Sequence, residues 1–273
     1  MDELLKFAIH CAKESGKIQK KYYEQYFAIH HKGEINLVTD VDYLCQARII
    51  ELIEKAFPED EIISEEKTNC YDNKKNRWII DPLDGTTNYA HGYPFFCTSV
   101  AYEKSGEIIT GAVYNPVFDE LFYSEKNKGA YLNGNRINVS GISELKGALL
   151  STGFPYDLVT NRNNNVDHFI KFLYAAQAVR RDGSAALNLC YLACGRFDGF
   201  WELKLNPWDV AAGFLIVSES GGKITNFEGN PFDIYKDNIA ASNGLIHASM
   251  LEVLKRKFHP VVGCDDIDAR GIF

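Results

Sequence analysis

No run of apolar residues in this 273-residue chain approaches the length needed to span a bilayer. The first ten residues, MDELLKFAIH, carry acidic charges and no apolar core, so they are not expected to act as a secretory leader. Basic residues are in deficit, 29 Lys and Arg against 37 Asp and Glu, for a formal charge of −8. That balance argues against bare nucleic acid as a partner, because such binding relies on Lys and Arg to displace counterions from phosphates. It also makes an anionic substrate an odd partner unless a cation mediates. Gly (21) and Pro (8) are not in excess, and no long polar tract marks disorder. The seven cysteines (11, 45, 70, 97, 190, 194 and 264) include no C-x-x-C pair. Cys190 and Cys194 could share a helix face, but no neighbouring His or Cys pair completes a zinc set. They read as reduced core thiols of a cytoplasmic protein.

What is present is a compact α/β pattern, with 46% hydrophobic residues to fill a core. Leu4, Ala8, Cys11, Ser15, Ile18 and Tyr22 recur in steps of four and three, which predicts one stripe of a long first helix. Thr39 and Asp40 open a second helix that runs through LCQARIIELIEKAF until Pro58. From about residue 78 to 140 the texture becomes strands (WII, FFCTSVAY, IITGAVYN, ELFYS, AYLN), and KSGE and NPVFDE connect them as hairpins. A largely antiparallel sheet is expected there. Beyond it, VDHFIKFLYAA, SAALNLCYLACG and WDVAAGFLIVSES predict helices, the last closed by Gly221 and Gly222. DGFWEL, KITN and NIAAS predict strands, and a last helix covers about residues 244–257. The one soft boundary lies near residues 140–147. The expectation is two subdomains, 1–142 with the antiparallel sheet and a metal-site motif, and 143–273 completing the active site.

Chemistry concentrates in WIIDPLDGTTNYAHG, residues 78–92. An apolar strand ends at Asp81, Pro82 bends the chain, and Asp84 follows. Two carboxylates held beside each other at a rigid strand end repel unless a cation lies between them. Oxygen ligands of this kind suit Mg²⁺ better than zinc or copper. Gly85, Thr86 and Thr87 then offer backbone N–H groups at a turn or helix start, where a phosphate can sit. Taken alone, each signal has a plainer reading. D-x-x-D-G is usually a turn, the adjacent Glu65 and Glu66 are usual surface charges, and Asp209 after Trp208 suits a helix N-terminus. Gly183, Ser184 and Ala185 would simply cap a helix, and Asp42 would favour a helix dipole.

Together, and in order, these segments resemble the inositol monophosphatase family over essentially the whole chain. WIIDPLDGTTNYAH is similar to that family's first signature, WDVAAGFLIVSESGG to its second, and VRRDGSAALNLCYLACGRFDGFWELKLNPWD to the intervening stretch of its bacterial members. The resemblance implies a layered α/β fold, the α-β-α-β-α sandwich of the inositol monophosphatase and fructose-1,6-bisphosphatase type, commonly a homodimer. It implies Mg²⁺ ligands at Glu65, Asp81, the Leu83 carbonyl, Asp84 and Asp209, with Glu65, Asp84 and Thr86 in catalysis. Thr86 matches the threonine that orients the attacking water. Gly85, Thr86, Gly183, Ser184, Ala185, Glu202 and Asp209 match substrate-contacting positions, Glu202 facing substrate hydroxyls. Glu66, Asp42 and Lys32 match supporting or third-metal positions more loosely, and His91 reads as structural.

The activity so implied is hydrolysis of a small phosphate monoester by water activated on a metal, with inositol 1-phosphate as first substrate. Alternatives within the resemblance are NADP, fructose 1,6-bisphosphate, histidinol phosphate and 3′,5′-bisphosphate nucleotides. Thr87 stands where the nucleotidase and histidinol branches usually carry Lys or Arg, and an acidic Glu202 suits a polyol better than a second phosphate. A regulatory binding protein on a phosphatase fold is the alternative of another class. It would be expected to have lost a metal carboxylate, and none is missing.

Overall fold

The computed structural model of the chain describes residues 1–23, 25, 29–31, 37–65 and 76–257. Helix α1 (Glu3–Tyr22) begins at Asp2, whose carboxylate accepts the Glu3 N–H at 2.6 Å. Its buried line runs through Leu5, Ala8, Cys11, Ala12, Ser15 and Gln19, while Leu4, Ile18 and Tyr22 of the expected stripe are only partly covered. Strands β1 (Ile29–His31) and β2 (Leu37–Thr39) pair antiparallel and lead into α2 (Asp40–Ala56). Thr39 caps α2, and Asp42 reaches back to the Thr39 N–H at 2.8 Å, a reciprocal arrangement that satisfies two orphan donors.

A seven-stranded sheet follows in the order β3 (Glu61–Ser64), β4 (Arg77–Asp84), β5 (Cys97–Lys104), β6 (Glu107–Asn115), β7 (Glu120–Glu125), β8 (Ala130–Leu132) and β9 (Asn135–Ile137), with short helix α3 (Thr86–Ala90) between β4 and β5. Only β3 and β4 run parallel, so the sheet is largely antiparallel, as expected. Ser105 and Gly106 turn the β5–β6 hairpin with φ of 52° and 82°, the paired left-handed conformation that matches strand twist.

After a single 3₁₀ turn at Leu145–Gly147 the chain enters its second sheet. Its elements are β10 (Leu149–Thr152), α4 (Val166–Ala175), β11 (Ala178–Arg180), α5 (Ala185–Ala193), β12 (Gly199–Leu203), α6 (Pro207–Glu219), β13 (Lys223–Thr225), β14 (Asn238–Ser242) and α7 (His247–Lys255). The strand order is β11-β10-β12-β14-β13, and β10 is parallel to both its neighbours. The short strands β3, β9, β10 and β11 are not announced by the sequence pattern.

Strand β4 is buried along its whole length, and its alternation divides two cores. Trp78 and Ile80 pack with Leu5 and Ala8 of α1 and Ile49 and Ile53 of α2. Ile79, with Val113 and Phe122, packs instead with α5 and α6, and the same core takes in Phe200, Ile239 and Ala241 of the second sheet. The opposite face of that sheet, Trp201, Leu203 and Ala240, is covered by Phe172 of α4 and by Met250 and Val253 of α7. The molecule is therefore an α-β-α-β-α sandwich. Helix α6 is seated tightly in its middle layer: a Cβ added to Gly111 of β6 would lie 2.9 Å from Ala212 Cα. Forcing one in would cost ~1–3 kcal/mol of overpacking and would move the helix that carries Asp209. No helix among the described residues is long and apolar enough to cross a membrane.

Candidate active site

A cleft of 360 Å³ opens where the ends of β3, β4 and β12 meet the starts of α3, α5 and α6. Glu65, Asp81, Leu83, Asp84, Gly85, Thr86, Gly183, Ser184, Ala185, Glu202 and Asp209 all line it. Residues separated by up to 144 positions in the chain thus share one wall.

The spacing of Asp81 and Asp84 needs an explanation, because residues three apart on a regular strand face opposite sides. Asp81 pairs with Ser99 and Asp84 with Cys97, so β4 spends one residue more than β5 over this stretch. The bulge returns both carboxylates to the same side. Pro82 is suited to it because it has no N–H to withhold from the ladder. The Pro82 carbonyl is instead anchored to α1, accepting from Gln19 Nε2 at 2.8 Å and Ser15 Oγ at 3.1 Å. Leu83 N–H closes the turn onto Asp81 Oδ1 at 3.0 Å. Glu65 follows β3, whose Ser64 pairs in parallel with Ile80, and this register sets Glu65 beside Asp81.

Gly85 then takes φ of +94°, and a Cβ there would meet Phe95 O at 2.9 Å, so both backbone conformation and space demand glycine. Thr86, the first residue of α3, places its hydroxyl 2.8 Å from Asp42 Oδ1 and 3.1 Å from the Leu83 carbonyl. Asp42 thus caps α2 with one oxygen and holds Thr86 with the other. Asn88 ties α3 to the next wall of the cleft, donating to Phe95 O and Asp182 O, both at 2.7 Å.

The start of α5 is directed at Asp84. Ser184 Oγ donates to Asp84 Oδ2 at 2.6 Å and Ala186 N–H to the same oxygen at 2.8 Å, a carboxylate at the positive end of a helix. Asp209 is the third residue of α6, and its Oδ2 accepts the Asn206 N–H at 2.7 Å. Glu202, on β12, is 8% exposed and lies so close to Gly153 that a Cβ on that glycine would collide with its carboxylate.

These carboxylates raise one another's pKa. Burial pushes Asp81 well above the usual range, and the charges of Glu65, Asp84, Asp209 and Asp42 push it further. Burial and the charges of Asp84 and Glu65 do the same to Asp209. Asp84 is lifted by burial to about 6, with the bonds from Ser184, Ala186 and Ala185 holding it down. Glu202 is raised well above its usual value by burial, then by Asp209 and Asp84, with Arg181 opposing. Among the described residues no ion pair reaches Asp81, Asp84 or Asp209. Asn188, 1% exposed on the same wall, has a side-chain oxygen without a hydrogen-bond donor. A wall of carboxylates, a carbonyl and an orphaned amide oxygen, with no thiolate or imidazole set, fits a hard divalent cation. Among the described residues no three such side chains are drawn together into a closed coordination cage.

Lys32 and Glu66 lie outside the described residues. His91 is exposed at the end of α3 and is not part of the cleft wall. The cleft also contains residues the motifs did not single out, among them Tyr156, Asp157, Arg181 and Lys204. Arg181 and Lys204 stand next to motif residues, so their proximity was a usable signal. Nothing local announces Tyr156.

A family model described as the inositol monophosphatase family matches residues 1–260. The chain belongs to the inositol monophosphatase family. It is 42% identical over 242 residues to the inositol-1-monophosphatase of Synechocystis, covering 88% of this chain and 81% of that one. It is 38% identical over 254 residues to the Nus factor SuhB of Escherichia coli, with 92% and 95% covered. Among solved structures, the inositol monophosphatase of Anabaena (Nostoc) superposes with a TM-score of 0.86 at 39% identity, over 94% of this chain and 97% of that one. An IMPase/NADP phosphatase complexed with Mg²⁺ and phosphate superposes at 0.79 with 26% identity, over 90% and 92%. A LiCl-soaked inhibitory complex of a staphylococcal inositol monophosphatase superposes at 0.80 with 26% identity, over 90% and 91%. Family and fold agree, and the chain is a phosphatase of the inositol monophosphatase family.

Proposed function

We propose that the protein hydrolyses small phosphate monoesters with Mg²⁺, inositol monophosphates foremost. The observation that supports this reading is the meeting of Glu65, Asp81, Asp84 and Asp209 on one cleft wall, with buried Glu202 farther along it. Mg²⁺ would be held by those four carboxylates and the Leu83 carbonyl, and when bound it neutralises phosphoryl charge and lowers the pKa of water. Every other part of the task falls to the chain. Thr86, fixed by Asp42, orients the attacking water through its hydroxyl. Gly85 and Thr86 present backbone N–H groups to the phosphoryl oxygens, where developing charge is stabilised. Gly183 and Ala185 shape the wall next to α3, where a Cβ on Gly183 would lie 3.1 Å from the Asn88 side chain, and Ser184 fixes Asp84 in place. Water oxygen bonds to phosphorus as the ester P–O bond breaks in line on the far side. The alcohol leaves with a proton, and no phosphoenzyme forms.

Glu202 favours a polyol as the alcohol half, since its carboxylate accepts hydroxyl hydrogen bonds and would repel a second phosphate. In this reading the enzyme is a homodimer of the cytoplasm, a setting that suits free thiols at Cys11, Cys45, Cys97, Cys190 and Cys194. The similarity to an IMPase/NADP phosphatase keeps NADP as a competing substrate, and the similarity to a Nus factor keeps a regulatory binding role as a second reading. Phosphate release by the purified protein with Mg²⁺ should be measured on inositol 1-phosphate, NADP, fructose 1,6-bisphosphate and adenosine 3′,5′-bisphosphate. The highest kcat/KM is expected on inositol 1-phosphate. A preference for NADP would overturn the substrate, and no release from any of them would favour the regulatory role.

A further inference from the structure

Ser15 and Gln19 lie one turn apart on the face of α1 that carries Leu5, Ala8 and Cys11 into the core. Both are fully buried, and so is Thr98, the residue of β5 that faces the bulge between Asp81 and Asp84. The three side chains form one polar cluster behind the turn. Gln19 Nε2 donates to Pro82 O at 2.8 Å and to Thr98 Oγ1 at 2.9 Å. Thr98 Oγ1 lies 2.8 Å from Ser15 Oγ, and both hydroxyls lie 3.1 Å from Pro82 O. Whichever hydroxyl makes the last bond, the carbonyl receives one hydrogen from the amide and one from a hydroxyl, which fills both its lone pairs. A carbonyl can only accept, so the amide nitrogen must face it. Gln19 Oε1 is then left buried with no donor among the described residues.

One donor would satisfy a carbonyl that the bulge takes out of the ladder. A second donor, obtained with an orphaned amide oxygen, adds a desolvation cost the fold does not require. What the cluster fixes is a peptide plane. The Pro82–Leu83 peptide is trans and planar, so its oxygen and its N–H point in opposite directions. With Pro82 O held against α1, the Leu83 N–H is directed the other way, and it donates to Asp81 Oδ1 at 3.0 Å. Asp81 and Leu83 line the cleft, while Pro82 between them does not. One rigid group thus joins the buried cluster on one side to a cleft carboxylate on the other. Hydrogen bonds in series polarise one another, so two donors on the carbonyl strengthen the N–H of the same peptide as a donor. The Tyr89 hydroxyl, donating to Gln19 O at 2.8 Å, fixes this part of α1 to α3.

We infer that Ser15, Gln19 and Thr98 are positioning residues that act through the Pro82–Leu83 peptide to set the orientation of the Asp81 carboxylate for its cation. This rests on the Mg²⁺-dependent reading above, in which Asp81 is a ligand. None of the three touches the substrate, so their loss acts on the metal and not on the choice of ester.

The test uses Gln19→Met, which keeps the length of the side chain but removes both amide bonds and the orphaned oxygen, and Thr98→Val, which keeps shape but removes the hydroxyl. Mg²⁺ binding to the purified, metal-free proteins is measured by isothermal titration calorimetry, and Tm is measured in EDTA. The Kd for Mg²⁺ should rise about 10-fold, the lower end of what loss of an outer partner of a metal ligand costs. Tm of Gln19→Met in EDTA should stay at or above the wild-type value, and phosphate release from 4-nitrophenyl phosphate should recover when Mg²⁺ is raised in proportion. An unchanged Kd would overturn the inference, and a lowered Tm beside it would make the cluster a support for the bulge alone. If Gln19→Met does not fold, the Kd of Thr98→Val decides by the same criterion. A wild type that takes up no Mg²⁺ would instead remove the parent reading, a failure visible before any variant is made.

Discussion

Glu202 is where the demands of folding and of recognition oppose each other. Its carboxylate is 8% exposed, its pKa is raised chiefly by burial, and Asp209 and Asp84 add repulsion. In metal-free protein at neutral pH the ionised side chain therefore destabilises the fold. Because the folded pKa lies above the unfolded one, the native state binds the extra proton, and stability falls as pH rises from 4.5 through the folded value. Glu202→Gln removes the charge at nearly constant shape and should stabilise the metal-free protein by ~1–3 kcal/mol, the scale of an ill-satisfied buried polar group. The same change should weaken polyol recognition by ~1.5–3 kcal/mol, or roughly 10- to 150-fold in kcat/KM. Thermal unfolding in EDTA between pH 5 and 8 measures the first effect, and the variant's curve should decline less steeply with pH than the wild type's, the remaining decline belonging to Asp81, Asp84 and Asp209. Parallel kinetics on inositol 1-phosphate and 4-nitrophenyl phosphate measure the second, with the loss concentrated on the polyol ester. Equal losses on both esters, or a variant less stable than the wild type, would refute the assignment and leave Glu202 a structural residue.

Asp84→Asn should lower turnover by orders of magnitude while circular dichroism and Tm stay near wild type, since an amide oxygen can still accept from Ser184 and Ala186; full activity in excess EDTA would remove the basis for this expectation. Lithium should inhibit uncompetitively with respect to substrate, because a monovalent ion similar in size to Mg²⁺ fits among Asp81, Asp84 and Asp209 but stabilises a leaving oxygen less; purely competitive kinetics at several Li⁺ concentrations would contradict it. His247 is buried between Thr225 Oγ1 and Ser242 Oγ, each 2.9 Å from a ring nitrogen, and burial lowers its pKa from 6.5 to about 4. The unfolded chain then binds the extra proton, so acidification from pH 7 to 5 should cost ~2 kcal/mol through this residue, and His247→Gln should flatten that part of the stability profile in urea titrations.

Long periodic segments were legible without coordinates. Helices α1, α2 and α6 carry three or more turns of pattern, and Thr39-Asp40 before α2 and Gly221-Gly222 beyond α6 mark ends that the sequence announces. The β5–β6 hairpin was legible because Ser105-Gly106 is a turn demanded by local backbone energetics. Strands β3, β9, β10 and β11 were not, since three or four residues give period two too few repeats to show. On β4 the pattern is silent for another reason. Both faces are buried, so Trp78, Ile79 and Ile80 look alike in sequence, and only their partners in α1, α2, α5 and α6 decide which core each joins.

The candidate site divides along the same line. Asp81, Leu83, Asp84, Gly85 and Thr86 are neighbours in the chain, and a strand, a proline and a glycine suffice to draw attention to them. Their geometry was not written there, because a spacing of three places two aspartates on opposite faces until the pairing of β4 with β5 introduces a bulge. Ser184 and Asp209 each have an ordinary local purpose as helix caps, and no local energy distinguishes a cap that faces solvent from one that faces Asp84. The Asp157–Lys204 pair on the cleft wall was invisible for the same reason: a loop residue takes its partner from what packs across from it. Local conformational preference determined which residues carry the chemistry; which of them meet was decided by the packing of α5 and α6 between two sheets, where burial makes like charges converge that water would otherwise keep apart.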